Sequence, residues 1–181
     1  DEITMPSSPV KSINLGLYVA RLIHTNLAVA NASAWQWWTA VSLNEDVPLW
    51  LQPMEGSSGE SVKYDGRVVT TKMFWATANY SFFVRPGMRR VDVHAVDKEV
   101  SPLEAATSLM VSSYTDGAQV VTVFVNYADA DKSIALKCDN ARKGKLYVTS
   151  IDKDLQYIGK QPLKSLSIPA RSIVTVVIDG E

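Results

Sequence analysis

Tryptophan is the residue type through which this chain is best equipped to bind a ligand. An indole ring offers a flat apolar face and one N–H donor, so neighbouring rings can stack against a ligand that has apolar surface of its own. The alternative is that the rings fill a core between a strand and its helices. All the tryptophans lie in the first 75 of the 181 residues: Trp35, Trp37, Trp38, Trp50 and Trp75.

The spacing of three tryptophans predicts which of them share a surface. In an extended strand, alternation places Trp35 and Trp37 on one face and Gln36 and Trp38 on the other. Core filling is favoured for Trp38, whereas for Trp35 both interpretations stay open. Trp50 falls in a later loop.

The ionisable residues favour neither a metal site nor a cofactor. Cys138 is the single cysteine, and with two histidines it cannot supply the four N/S ligands of a structural zinc site. His24, in an apolar helical pattern, and His94, in a strand pattern, are expected to be structural. Glu45 and Asp46 are expected to form a solvated loop tip. We therefore expect no cofactor and no metal.

Charge and hydropathy exclude two classes of partner. Eighteen basic residues against 19 acidic ones give a net charge of -1, without a concentrated basic face, so no nucleic acid is expected. No apolar run approaches the ~20 residues that cross a bilayer, and the first residues lack the pattern of a signal peptide.

The first half of the chain has the pattern of an α/β unit. Ser12 can cap a helix from about Ile13 to Ala30, and residues 32–41 are predicted to form a largely buried strand. A long irregular connection is expected over 42–69. A second helix capped by Thr70 or Thr71 follows and ends at residues 85–87.

After residue 88 the hydrophobic period becomes two, which is typical of an antiparallel β-sandwich. The predicted strands are 89–96, 105–114, 118–127, 132–138, 144–151, 155–159 with 163–168 as a broken pair, and 171–178. One buried strand between two helices cannot cover its own faces. We therefore divide the chain into an incomplete segment, 1–87, and a sandwich, 88–181.

Three segments resemble one enzyme family, in the family's order. NASAWQWWTAV (Asn31–Val41) resembles the eighth barrel strand of glycoside hydrolase family 30, particularly its endo-β-1,6-galactanase-like branch. YSFFVRPG (Tyr80–Gly87) resembles that family's last barrel helix and its junction with the sandwich, and IPARSIVT (Ile168–Thr175) its final sandwich strand.

The resemblance implies an α+β fragment: the C-terminal piece of a (β/α)8 TIM barrel, about residues 1–86, followed by an antiparallel β-sandwich. Family members are retaining hydrolases with two catalytic glutamates, both of which would precede residue 1. No catalytic residue is thus expected in this chain, which would be inactive alone. The implied partners are an oligo- or polysaccharide, such as β-1,6-galactan, and the missing N-terminal part of the barrel. Secretion, or a periplasmic or cell-surface location, is implied as well.

Trp37 is the first candidate for a substrate-binding wall, because the resemblance makes its strand face look into the barrel at the active-site end. Trp35 and Trp50 are further candidates. A second hypothesis is a non-catalytic carbohydrate-binding or structural module. It is disfavoured by the low aromatic count of 89–181, where the residues are Tyr114, Phe124, Tyr127, Tyr147 and Tyr157.

Overall fold

The computed structural model describes residues 12–54, 65–95 and 99–180. Its helices are α1 (Ile13–His24), which continues into a π-helical turn (Thr25–Val29), α2 (Lys72–Ser81) and α3 (Pro102–Ala106). Its strands are β1 (Val41–Ser42), β2 (Leu49–Pro53), β3 (Gly66–Thr70), β4 (Arg89–Val91), β5 (Leu109–Thr115), β6 (Gln119–Asn126), β7 (Lys132–Ile134), β8 (Lys143–Thr149), β9 (Gln156–Pro162), β10 (Leu166–Ile168) and β11 (Ser172–Asp179).

Both predicted long helices are confirmed, and they cross closely. Ser12 occupies the N-cap position of α1, and Thr71 caps α2 by accepting a hydrogen bond from the Met73 amide. A Cβ on Gly16 would lie 2.9 Å from the carbonyl oxygen of Lys72, so only glycine permits this approach of α1 to α2.

Six strands form one antiparallel sheet in the order β4-β5-β6-β11-β8-β9. Alternation divides its apolar side chains between two faces. In β11, Ile173 and Val177 pack with α1 and α2, whereas Val174 and Val176 face the opposite way. The opposite face is covered by a two-stranded sheet of β7 and β10, whose buried Ile168 contributes to the second core.

The result is three layers: helices, the six-stranded sheet, and the β7–β10 pair. The predicted α+β class with an antiparallel sheet is confirmed. The helices of the first half and the sheet of the second share a single buried core across residue 87. None of the helices in the described ranges is both long and apolar enough to cross a membrane.

The predicted strand at 32–41 is wrong. No described strand pairs with residues 32–40, and most of their side chains are exposed or half-buried. A strand exists only when neighbours accept and donate its backbone hydrogen bonds. In the described part of the chain, the backbone bonds of this segment lie at its two ends, from the Ala32 amide to the Asn26 carbonyl at 2.8 Å and from the Leu49 amide to the Ala40 carbonyl at 2.9 Å.

The predicted irregular connection at 42–69 is also partly wrong. It contains β1, which pairs in parallel with β2, and β2 pairs antiparallel with β3. Residues 55–64 of that connection lie outside the described residues. Pro53 is the last residue of β2, where a proline removes no hydrogen bond that the β2–β3 pair needs. The proline therefore did not exclude a strand.

A short helix, α3, stands where the strand at 105–114 was predicted to begin. Ser101 and Glu104 form a capping box, with each side chain bonded to the other's backbone amide, and Pro102 occupies the first turn. Strand β5 therefore begins only at Leu109.

A tyrosine held between two arginines ties α1 to the sheet. The Arg21 guanidinium lies 4.7 Å and that of Arg171 4.8 Å from the ring centroid of Tyr127. Arg171 also donates to the Tyr127 carbonyl and to Asn14 Oδ1, each at 2.6 Å. One arginine comes from α1 and the other from the turn before β11, so the contact spans the two layers.

Asn79 ties α2 to the centre of the sheet. Its Nδ2 donates to the Thr149 hydroxyl at 2.7 Å, and the Thr175 hydroxyl donates to its Oδ1 at 2.9 Å. All three residues are fully buried. Removing one partner of a buried hydrogen bond exposes the other to the full cost of lost hydration.

We expect Asn79→Ala to lower the free energy of unfolding by about 1–3 kcal/mol, because two buried hydroxyls each lose one hydrogen bond. Thr149 keeps its bond from the Leu155 amide, and Thr175 keeps its bond to the Asn79 carbonyl. Thr77→Ala is the matched control on the same helix. Among the described residues the Thr77 hydroxyl bonds only its own helix, at the Met73 carbonyl, so its loss should change stability by less than about 1 kcal/mol. Urea unfolding followed by circular dichroism measures both; equal losses would contradict the role of Asn79.

His24, the last residue of α1, is buried and neutral. Its Nδ1 has no hydrogen-bond partner among the described residues, and burial lowers its pKa from 6.5 to about 4. Between these pH values the unfolded chain binds a proton at His24 that the folded chain does not. Stability is therefore lost as the pH falls through this window.

We expect His24→Leu to remove a pH-dependent loss of stability on the order of 3 kcal/mol between pH 6.5 and 4. His94→Leu is the control, since His94 is exposed and should leave the loss in place. Denaturant unfolding across this pH range compares the variants with the parent. An unchanged pH profile for His24→Leu would show that another group carries the effect.

Candidate functional site

The segment between α1 and β1 carries the tryptophan cluster. It leaves the π-helical turn at Asn31, whose φ of 56° reverses the chain direction, and the Ala32 amide returns to the Asn26 carbonyl at 2.8 Å. Residues 32–40 then run to β1 outside any described sheet. The segment is thus anchored at its two ends rather than along its length.

Trp35 and Trp37 stack on one another, so they lie on one side of the segment, as predicted, although the segment is not a strand. Their ring centroids are 5.9 Å apart with an interplanar angle of 26°. Both rings are half-buried and pack against the core cluster of α1, α2 and the sheet. Packing on one side fixes the orientation of the pair and leaves part of its surface to solvent.

The expectation that Trp38 fills a core is wrong, because its side chain is 93% exposed. A core position requires packed neighbours on the opposite side of the segment. Among the described residues, no ring contact involves Trp38.

Trp50 lies on β2, opposite Ser42 of β1. Its Nε1 donates to the Leu43 carbonyl at 3.1 Å, which satisfies its single donor and fixes the ring at the loop between β1 and β2. The structure brings Trp35 and Trp37 together, whereas Trp50 is not in ring contact with either of them in the described part of the chain.

The chemistry available in this region is apolar stacking. Glu45 and Asp46 lie in the β1–β2 loop, where Asp46 is exposed and Glu45 half-buried. Within residues 12–54, 65–95 and 99–180, no group of three or more His, Cys, Asp or Glu side chains is placed to hold a metal ion.

A second group of aromatic side chains was not predicted from the sequence. Phe82 and Phe83 follow α2, and the structure brings them next to Tyr147 of β8 and Tyr157 of β9. Spacing along the chain contains no signal for this grouping, because its members come from three separate elements.

Two kinds of comparison relate the chain to glycoside hydrolases. A family model described as O-Glycosyl hydrolase family 30 matches residues 6–46, the range that includes Trp35, Trp37 and Trp38. Among curated proteins, no sequence matches the chain.

Several solved structures share the fold. A conserved exported protein from Bacteroides fragilis is 64% identical over 98% of this chain, with a TM-score of 0.94. A family 30 endoxylanase from Clostridium papyrosolvens is 21% identical over 95% of this chain, with a TM-score of 0.68. A family 30 subfamily 8 xylanase from Clostridium acetobutylicum is 20% identical over 94%, with a TM-score of 0.69.

The matched region is a limited part of each of these proteins. This chain covers 36% of the Bacteroides fragilis protein and 40% of each clostridial xylanase. Over that part, the chain shares the fold of the family 30 xylanases, and its residues 6–46 match the family 30 model.

Proposed function

We propose that this chain is the C-terminal portion of a retaining O-glycosyl hydrolase that acts on a β-linked polysaccharide. In it, Trp35 and Trp37 form an aromatic wall for a sugar ring, and the sheet domain supports them. The observation that carries the proposal is the stacked, partly exposed Trp35–Trp37 pair within the residues that match the family model.

The physical basis is the match between an indole face and a sugar. A pyranose ring presents apolar C–H groups on its faces and hydroxyls at its edge, so it stacks on an aromatic plane while its hydroxyls bond elsewhere. The Trp35–Trp37 pair supplies two rings inclined by 26°, oriented by the core behind them. Trp50 is an outer contact in this proposal, fixed through its bond to Leu43.

The reaction itself requires two carboxyls about 5–5.5 Å apart, one as nucleophile and one as acid/base. We assign neither role to a residue of this chain. They belong to the preceding part of the barrel, which is also the intramolecular partner of α1 and α2. The resemblance of Asn31–Val41 favours β-1,6-galactan as substrate. The exported relative from Bacteroides fragilis favours action outside the cytoplasm.

A non-catalytic carbohydrate-binding or structural module is the second candidate. The observation that favours it is the row of aromatic side chains at the end of α2 and on β8 and β9.

We expect Trp37→Ala to weaken binding of β-1,6-galactan oligosaccharides about tenfold, because the sugar loses one stacking partner. Isothermal titration calorimetry measures the affinity, and near-UV circular dichroism checks the fold. Trp38→Ala is the matched control, since its exposed ring lies outside the stacked pair. Unchanged affinity in Trp37→Ala, or a larger loss in Trp38→Ala, would contradict the role of the pair.

The purified 181-residue chain should release no sugar from β-1,6-galactan or from an aryl β-galactoside, because the catalytic carboxyls are assigned elsewhere. A reducing-sugar assay against a no-protein blank tests this. Release above the blank would place the reaction on residues of this chain and overturn that assignment.

A further inference from the structure

Four aromatic rings form a continuous row across the junction of α2 with the sheet. The ring centroids are 5.1 Å apart for Phe82 and Phe83, 4.6 Å for Phe83 and Tyr147, and 5.1 Å for Tyr147 and Tyr157. Phe83 is buried and Tyr147 half-buried, whereas Phe82 is 67% and Tyr157 50% exposed. We call these four residues the aromatic row. It is buried in the middle and open to solvent at both ends.

Strand pairing fixes the two tyrosines. Tyr147 of β8 and Tyr157 of β9 are direct partners in the antiparallel ladder, so their side chains stand on the same face of the sheet. That face is the one on which the helices pack, because Tyr147 contacts the helix-side core. Chain reversal at Pro86 and Gly87, where φ is 95°, ends the helix layer beside Tyr147. Beyond that point the sheet face is not covered by α1 or α2.

A β-bulge places charged groups along the same open face. The ladder shifts register between Lys145 and Tyr147, opposite Gly159 with its φ of 95°. As a result Lys160, three residues beyond Tyr157, pairs with Lys145 and stands on the face that carries both tyrosines. Without the bulge Lys160 would point to the opposite face.

The Lys145 ammonium is held in place by a carboxylate. Its Nζ lies 3.0 Å from Asp179 Oδ1 and 2.9 Å from Asp179 Oδ2, and this bond raises the pKa of Lys145. The Lys160 ammonium forms no hydrogen bond or ion pair within the described part of the chain. One side of the aromatic row is therefore bordered by a fixed ion pair and an unpaired ammonium, which supply donors and an acceptor.

We infer that this face, with the aromatic row at its centre and Lys145, Lys160 and Asp179 at its border, binds a polysaccharide chain. The inference rests on the proposed function for the ligand class, and it adds a glycan contact to the Trp35–Trp37 pair. Sugar rings stack on the exposed ends of the row, Phe82 and Tyr157, and their hydroxyls bond the charged border.

The same features disfavour a protein partner or a second copy of the chain. The centres of protein interfaces are depleted of lysine and aspartate, whereas here three charged side chains stand beside a row one ring wide. Strand β9 is an edge of the sheet, and its bulge and its outward Lys160 are the devices by which edge strands avoid pairing with another chain.

Affinity gel electrophoresis of the full chain tests the inference, with β-1,6-galactan or xylan cast in the gel. We expect one of these polysaccharides to retard the chain and Tyr157→Ala to weaken binding about tenfold, because a stacking surface is lost at a half-exposed position. Tyr157→Phe should retain most of the retardation. Leu103→Ala, at an apolar side chain of α3 that is 81% exposed, is the matched control.

Trp37→Ala separates this inference from the proposed function. Retardation lost in Trp37→Ala but unchanged in Tyr157→Ala overturns the glycan contact at the aromatic row and leaves the proposed function in place. Loss in Tyr157→Ala but not in Trp37→Ala supports the row and counts against the tryptophan wall. No retardation of the parent chain by either polysaccharide overturns the inference. The inference is also overturned if sedimentation shows a dimer of the parent chain that Tyr157→Ala dissociates.

Discussion

The central position of β11 is the constraint on which the structure depends. This strand pairs with β6 along one side and β8 along the other, and its side chains are buried from Ser172 to Ile178. A strand buried on both faces requires a cover on each. The β7–β10 pair covers one face, and α1 and α2 cover the other. The tryptophan segment follows α1 directly, so its position depends on how that helix lies on β11.

Local patterns predicted most of this framework. Period-two alternation located β5, β6, β8 and β11 to within a few residues, and cap residues located the starts of α1 and α2. These signals can be read from neighbouring residues, because alternation along a strand reveals its buried face and a capping residue lies next to the end of its helix. The strand at 32–41 could not be judged this way. Its composition suits a strand, but a strand also needs neighbours, and pairing is not encoded locally.

At the candidate sites, too, local patterns predicted some features, whereas contacts between distant elements decided the others. Alternation alone predicted that Trp35 and Trp37 share a side, and the rings stack although no sheet holds them. The placement of Trp38 in a core failed, because burial depends on what surrounds the segment rather than on the side chain. The aromatic row could not be predicted from the sequence. It needs the end of α2 to meet β8, and a bulge at Gly159 to place Lys160 beside Tyr157.

The position of the Tyr127 ring between Arg21 and Arg171 has a consequence for how such proteins diverge. The ring and one cation belong to the sheet layer, and the other cation belongs to α1. A sheet domain transplanted onto foreign helices would retain the ring but lose the guanidinium that α1 contributes, together with the close fit at Gly16. Recombination between relatives would therefore preserve the core only if its crossover point lay before α1, so that helices and sheet are inherited as one block.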